Sequence, residues 1–181
     1  MTNAAIQEAP TLDTIVARAA SGDESAFARL VAEHHASMAR VAFAITGDAE
    51  SAADVVQIAW STAWRRLGSL RDHRTVHAWL VAIAANEARQ VLRRQRRRTI
   101  VDLSTVPEQA AGGDPADDIR VVDLARSLRS LKPEDRALLA LRFAGGFDSN
   151  AIAAQLGLSA SGVRSRLSRL IERLREDLDH G

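Results

Sequence analysis

The sequence predicts an all-α protein made of two helical modules joined by a connector. Three observations predict it. Ala, Leu, Val and Arg dominate the 181 residues while aromatics make up only 4% and Tyr is absent, which favours helix over sheet. Apolar residues recur at helical spacing over residues 11–98 and 121–181. Between them, residues 99–120 contain Pro107, Gly112-Gly113 and Pro115 and keep no period, as a flexible linker does. Residues 1–10 read as a disordered N-terminus.

Charge follows the same division. The net charge of +1 conceals 13 arginines against 9 acids in 11–98 and 10 basic residues against 8 acids in 121–181. Residues 99–120 hold one basic residue and five acids. Two mildly basic blocks on an acidic tether suit a protein that grips a polyanion at both ends. Cysteine is absent, which excludes disulfides and thiolate metal sites. The N-terminal residues lack a basic segment followed by an apolar run, and no stretch is long and apolar enough to span a membrane. A soluble, cytoplasmic protein without cofactor or metal is expected.

In chain order, a short helix starts near Asp13 and ends at Ser21-Gly22. Asp23 caps a longer one in which Phe27, Leu30, Val31, His34, Met38, Val41 and Ala42 keep a helical period. His34-His35 is expected at the surface and the edge of the core. Gly47-Asp48 breaks that helix, and a third runs from about Ala49 to Leu67 on Ala52, Val55, Val56, Ala59, Trp60, Ala63 and Trp64. Trp60, Trp64 and Trp79 are expected in the core. A polar loop, Gly68–Thr75, carries Arg71, Asp72, His73 and Arg74. A fourth helix, Val76 to about Arg98, buries Trp79, Leu80, Ile83, Ala84, Ala88, Val91 and Leu92 and ends in LRRQRRR. Four helices with such short connections make a bundle. The arginine run can neutralise phosphates, or it can simply complement the negative end of a helix.

Beyond the linker, a helix is expected over Ile119–Leu131. Another begins at Pro133, with Glu134 and Asp135 in its first turn, and closes at Gly145-Gly146. Residues 146–178 then read as helix, turn, helix. Asp148 caps a short helix bearing Ile152, Ala153 and Leu156, and Gly157 supplies a left-handed stop. Ser159 or Ser161 caps a second helix with a stripe of Val163, Leu167, Leu170, Leu174 and Leu178. Opposite lie Ser161, Ser165 and Ser168, flanked by Arg164 and Arg169. Arginine forks onto guanine or phosphate, and serine is short enough to let a helix enter the major groove. A solvated helix pair would show the same amphipathicity, but the Gly-Leu-Ser turn together with the Arg/Ser face favours DNA.

Residues 47–67 (GDAESAADVVQIAWSTAWRRL) and 77–98 (HAWLVAIAANEARQVLRRQRRR) resemble region two of extracytoplasmic-function (ECF) sigma factors. Residues 131–174 resemble region four of the same family. The resemblance implies a region-two bundle that docks on the clamp helices of core RNA polymerase and opens the promoter's melting element. It also implies a region-four helix-turn-helix that contacts the polymerase flap and reads the upstream element. Asp54 and Gln57 match the polymerase-facing motif, with Ile58 where an acid is usual. The loop Arg71, Asp72, His73, Arg74 and Thr75 matches the pocket for a flipped base. His77, Asn86, Arg89 and Arg93 fall on the DNA-facing part of the fourth helix. Ala82 and Ala85 stand where basic residues are frequent, so fewer phosphate contacts are expected there. Ala151 replaces a common glutamate, and Ser161-Gly162 a common Gly-Thr. Gly162 costs the helix about 1 kcal/mol relative to Ala, a cost that close approach to the DNA backbone would explain. Ser161, Arg164, Ser165, Arg166, Ser168 and Arg169 form the expected upstream-element set. An anti-sigma factor is an implied partner.

The rival reading is a stand-alone helix-turn-helix regulator binding an operator as a dimer. An enzyme is disfavoured, because no nucleophile, carboxylate pair or metal set converges on one place. The spacing of His73 and His77 could serve zinc, but no cysteine or acidic face supports it.

Overall fold

The structure, a computed structural model, describes residues 10–101, 126–128 and 130–179. The expected N-terminal tail falls almost wholly outside these residues, as do most of the linker and most of the helix expected over 119–131; residues 126–128 and 130 are helical. The side chains of Arg96, Arg97 and Arg98 are also outside the description.

Local capping sets the N-terminal helices. Helix α1 (Leu12–Ala20) begins at Thr11, whose hydroxyl accepts the Thr14 amide. Helix α2 (Glu24–Thr46) begins at Asp23, whose carboxylate accepts the amides of Ser25 and Ala26 at 2.9 and 3.0 Å. The Ser25 hydroxyl, the Ala26 amide and Arg18 together hold that carboxyl well below the ordinary range. Gly47, at φ 86°, ends α2 in the left-handed region that other residues avoid. Asp48 then caps α3 (Ala49–Arg66) through the Ser51 amide at 2.7 Å. Two 3-10 turns, Leu67–Ser69 and His73–Thr75, lead to α4 (Val76–Val101), which runs three residues past its expected end. Helix α2 is central and touches α1, α3 and α4. Leu30, Met38, Val41, Ala42 and Ile45 on its inner face are sealed from solvent.

His34 differs from expectation. It is only 6% exposed, and its Nε2 has no hydrogen-bond partner. Its ring lies 5.4 Å from that of His77. The stripe Leu30, His34, Met38, Val41 has spacings of four, four and three, so a histidine occupies a core position. Burial lowers its pKa; His77 acts in the same direction and Glu33 opposes. The unfolded chain therefore takes up this proton more readily than the folded one. Stability is expected to fall as pH drops below the ordinary value of 6.5. Melting temperature measured from neutral to mildly acidic pH should decline in the wild type and decline less in His34→Leu.

The tryptophans are only partly core. Phe27 lies edge-on to Trp60 and Trp64, with centroids 5.5 and 4.7 Å apart, and Trp64 remains 39% exposed. The Trp60 indole N–H points at His35 Nδ1 at 3.3 Å.

In the C-terminal half, α5 (Pro133–Leu139) continues into a π-helical turn, Ala140–Ala144. Gly146, at φ 71°, redirects the chain. Helix α6 (Ser149–Leu156) is capped by Asp148 and stopped by Gly157, as expected. Helix α7 (Ala160–Asp179) buries Val163, Leu167, Leu170 and Leu174, whereas Leu178 is 38% exposed. Ser159, rather than Ser161, caps it by accepting the Gly162 amide at 3.1 Å. A Cβ on Gly162 would come within 2.9 Å of that Ser159 hydroxyl, so the cap itself gives a reason for glycine within the chain.

The two halves share one hydrophobic core. Helix α5 and the π turn pack on α2, and α5 also meets α4. Arg136 Nε donates to the Ile45 carbonyl, near the end of α2, at 3.1 Å.

Candidate nucleic-acid interface

The polar loop organises itself. Asp72 accepts from Arg74 through both carboxylate oxygens, at 3.0 and 3.1 Å, and also accepts the Arg74 amide. Those bonds lower the Asp72 pKa and raise that of Arg74. Thr75 closes the turn onto the Asp72 carbonyl at 2.7 Å. His73 turns away from the other loop side chains and pairs through Nδ1 with Asp13 of α1 at 2.8 Å. Arg71 and Arg74 are exposed, so the loop presents two cations on a backbone fixed by Asp72.

Beside the loop, α3 and α4 enclose a cleft of about 310 Å³ lined by Thr62, Arg66, Ile83, Asn86, Glu87, Arg89, Gln90 and Arg93. Three of the sequence-predicted residues, Asn86, Arg89 and Arg93, therefore meet in one place. Arg66 and Thr62 were not anticipated, although their spacing of four puts them on one face of α3. Burial chiefly, and Arg93 next, lower the Arg89 pKa, while Glu134 acts in the opposite sense. Three guanidiniums with amide and hydroxyl groups between them can bind phosphate and the edge of a base. His77 is not in this cleft; it is half-buried and stacks toward His34. Ala82 and Ala85 are buried at 9% and 0%, so they belong to the packed side of α4 and not to its phosphate side.

On α7, Ser161, Arg164, Ser165, Ser168 and Arg169 are all exposed. Arg166 has a different environment: its Nε donates to Asp135 Oδ1 at 2.6 Å, half-buried against α5. Asp54, Gln57 and Ile58 share the outer face of α3, with Ile58 39% exposed. Among the described residues, no cluster of His, Cys, Asp and Glu could hold a metal, and no helix is long and apolar enough to cross a membrane.

Comparison with known proteins gives two family matches in order along the chain, sigma-70 region 2 over residues 30–98 and sigma-70 region 4 over residues 122–174. The ECF RNA polymerase sigma factor SigL of Mycobacterium tuberculosis is 32% identical across 88% of this chain and 93% of its own. The chain belongs to the ECF sigma factors of the sigma-70 family. A probable RNA polymerase sigma factor, RfaY of Xanthomonas campestris, is 32% identical over 94% of this chain, which spans about half (46%) of that relative. Among solved structures, the sigma factor RpoE from Bartonella quintana, crystallised with the anti-sigma factor NepR, aligns with a TM-score of 0.73. That match has 25% identity and covers 84% of this chain and 96% of the other. Within this sigma factor, the α3–α4 cleft and the Asp72 loop lie in region two, and α7 lies in region four.

Proposed function

We propose that this sigma factor binds core RNA polymerase and directs it to a subset of promoters, with the work divided between its two regions. Region two docks on the polymerase clamp helices through Asp54, Gln57 and the Ile58 side of α3. Arg71 and Arg74, with the α3–α4 cleft, hold the opened strand. Extruding a base costs a few kcal/mol, and a preorganised cationic loop and cleft offset that cost. Region four meets the flap and reads the upstream element through Ser161, Arg164, Ser165, Ser168 and Arg169. The observation that carries this reading is the presence, in one chain, of both regions in family order, each with an exposed arginine-rich face. RNA synthesis belongs to the polymerase, and the sigma factor acts in the cytoplasm as an initiation factor without catalysis of its own. An anti-sigma factor fits as a regulatory partner, as NepR does for the relative it was crystallised with.

The test is run-off transcription with purified core polymerase on a randomised promoter library. A sigma factor enriches templates sharing two spaced elements, whereas a dimeric repressor would enrich a palindrome and start no transcription. Neutralising six phosphates across the protein would give a log-log salt slope of about −5. Filter binding of the holoenzyme at graded salt measures it, and a slope near zero would contradict the assigned arginine faces.

A further inference from the structure

The contact between the two halves meets the DNA-facing surface at one residue. Helix α5 lies across α2 and α4, with Ala137, Leu138 and Leu141 sealed from solvent. Arg136 straps it to the Ile45 carbonyl, and its guanidinium also lies over Gly47, where an added Cβ would sit 3.7 Å from Nη1. On α4, Ala82, Ala85 and Arg89 share a face at spacings of three and four, and the two small buried alanines leave room for a neighbouring backbone. Glu134, in the first turn of α5, is the acid whose charge acts on Arg89, and Arg89 lines the α3–α4 cleft.

We infer that docking of α5 onto α2 and α4 is a self-inhibitory latch in which the Glu134 carboxylate takes the place of a DNA phosphate beside Arg89. A phosphate brought to Arg89 meets Glu134 as a like charge, so strand binding and the docked arrangement oppose each other. Entry of the strand weakens the seat of α5. Release of α5 in turn frees region four, whose recognition helix is tied to α5 through Asp135 and Arg166. This inference rests on the promoter reading above, because it needs the cleft to meet nucleic acid.

The full-length chain, which has no cysteine of its own, takes donor and acceptor dyes at Ala28→Cys and Ala154→Cys, both exposed positions. Fluorescent single-stranded DNA of mixed sequence is the probe. Glu134→Gln, at an exposed site, should bind it on the order of two- to fivefold more tightly than wild type. Arg136→Gln, which loosens the strap and keeps Glu134, should change affinity in the same direction. The Glu134→Gln gain should vanish in an Arg89→Gln background, and saturating DNA should lower energy transfer in the wild type. The latch is overturned if Glu134→Gln binds no more tightly than Glu172→Gln, a control on the outer side of α7, or if energy transfer is unchanged at saturation. Either result leaves the promoter reading standing. Absence of DNA binding by every version overturns both.

Discussion

Leu141→Ala is expected to destabilise the protein by about 2–5 kcal/mol, the usual range for emptying a sealed leucine site. That is a large part of a typical domain's stability of about 5–15 kcal/mol. Leu141 is 0% exposed and lies in the π turn that packs on α2. All three tryptophans, Trp60, Trp64 and Trp79, are in region two, so their fluorescence reports on the half that does not contain the mutation. A shared core requires the urea midpoint followed by tryptophan fluorescence to move together with that followed by far-UV circular dichroism. A fluorescence midpoint that stays at the wild-type value would mean the halves unfold independently and the core is not shared.

Arg164→Ala and Arg166→Ala should separate cleanly although they are two residues apart. Arg164 is exposed on the outer face of α7. Its loss should cost ~1–3 kcal/mol of upstream-element binding and relax preference at one base position if the contact is bidentate. Equal loss on every promoter variant would reassign it to a phosphate. Arg166 holds Asp135, whose side chain is only 15% exposed, so its removal leaves a nearly buried carboxylate unpaired. Because Arg166 itself is a third exposed, the expected loss of stability is about 1–3 kcal/mol, below the range for a fully buried pair. Thermal denaturation and promoter binding of both variants distinguish the roles. Base discrimination should survive in Arg166→Ala wherever the fold does.

What could be read from sequence was what local chemistry determines. Asp23, Asp48 and Asp148 start helices and Gly47 and Gly157 stop them within a few residues of their own position, and each does so in the structure. The buried stripe of α7 follows from spacing alone, and only Leu178, at the frayed end, departs from it. Some misses had a signal that went unused. Arg166 is three residues beyond Val163 and adjacent to Leu167, so periodicity already placed it at the edge of the core. His34 likewise sits in register with Leu30 and Met38. Other features had no local signal. The pairing of His73 with Asp13 joins residues sixty apart, the Arg136 strap joins residues ninety-one apart, and the Asp135–Arg166 tie crosses from one helix to another. The cleft was half visible, because α4 announced its arginines and amides while Thr62 and Arg66 looked like any exposed positions on an amphipathic helix.

The π turn at Ala140–Ala144, where the Gly145 amide bonds to the Ala140 carbonyl at 2.9 Å, holds one more residue than ordinary helix needs to cover the same height. Deleting a single alanine or leucine there would let the segment rewind at standard pitch and swivel everything downstream by about 100°. The compass bearing of the serine-arginine surface is thus written as a tally of backbone units, indifferent to which side chains they carry. Lineages could re-aim that surface by gaining or losing one codon without touching a single residue that meets DNA.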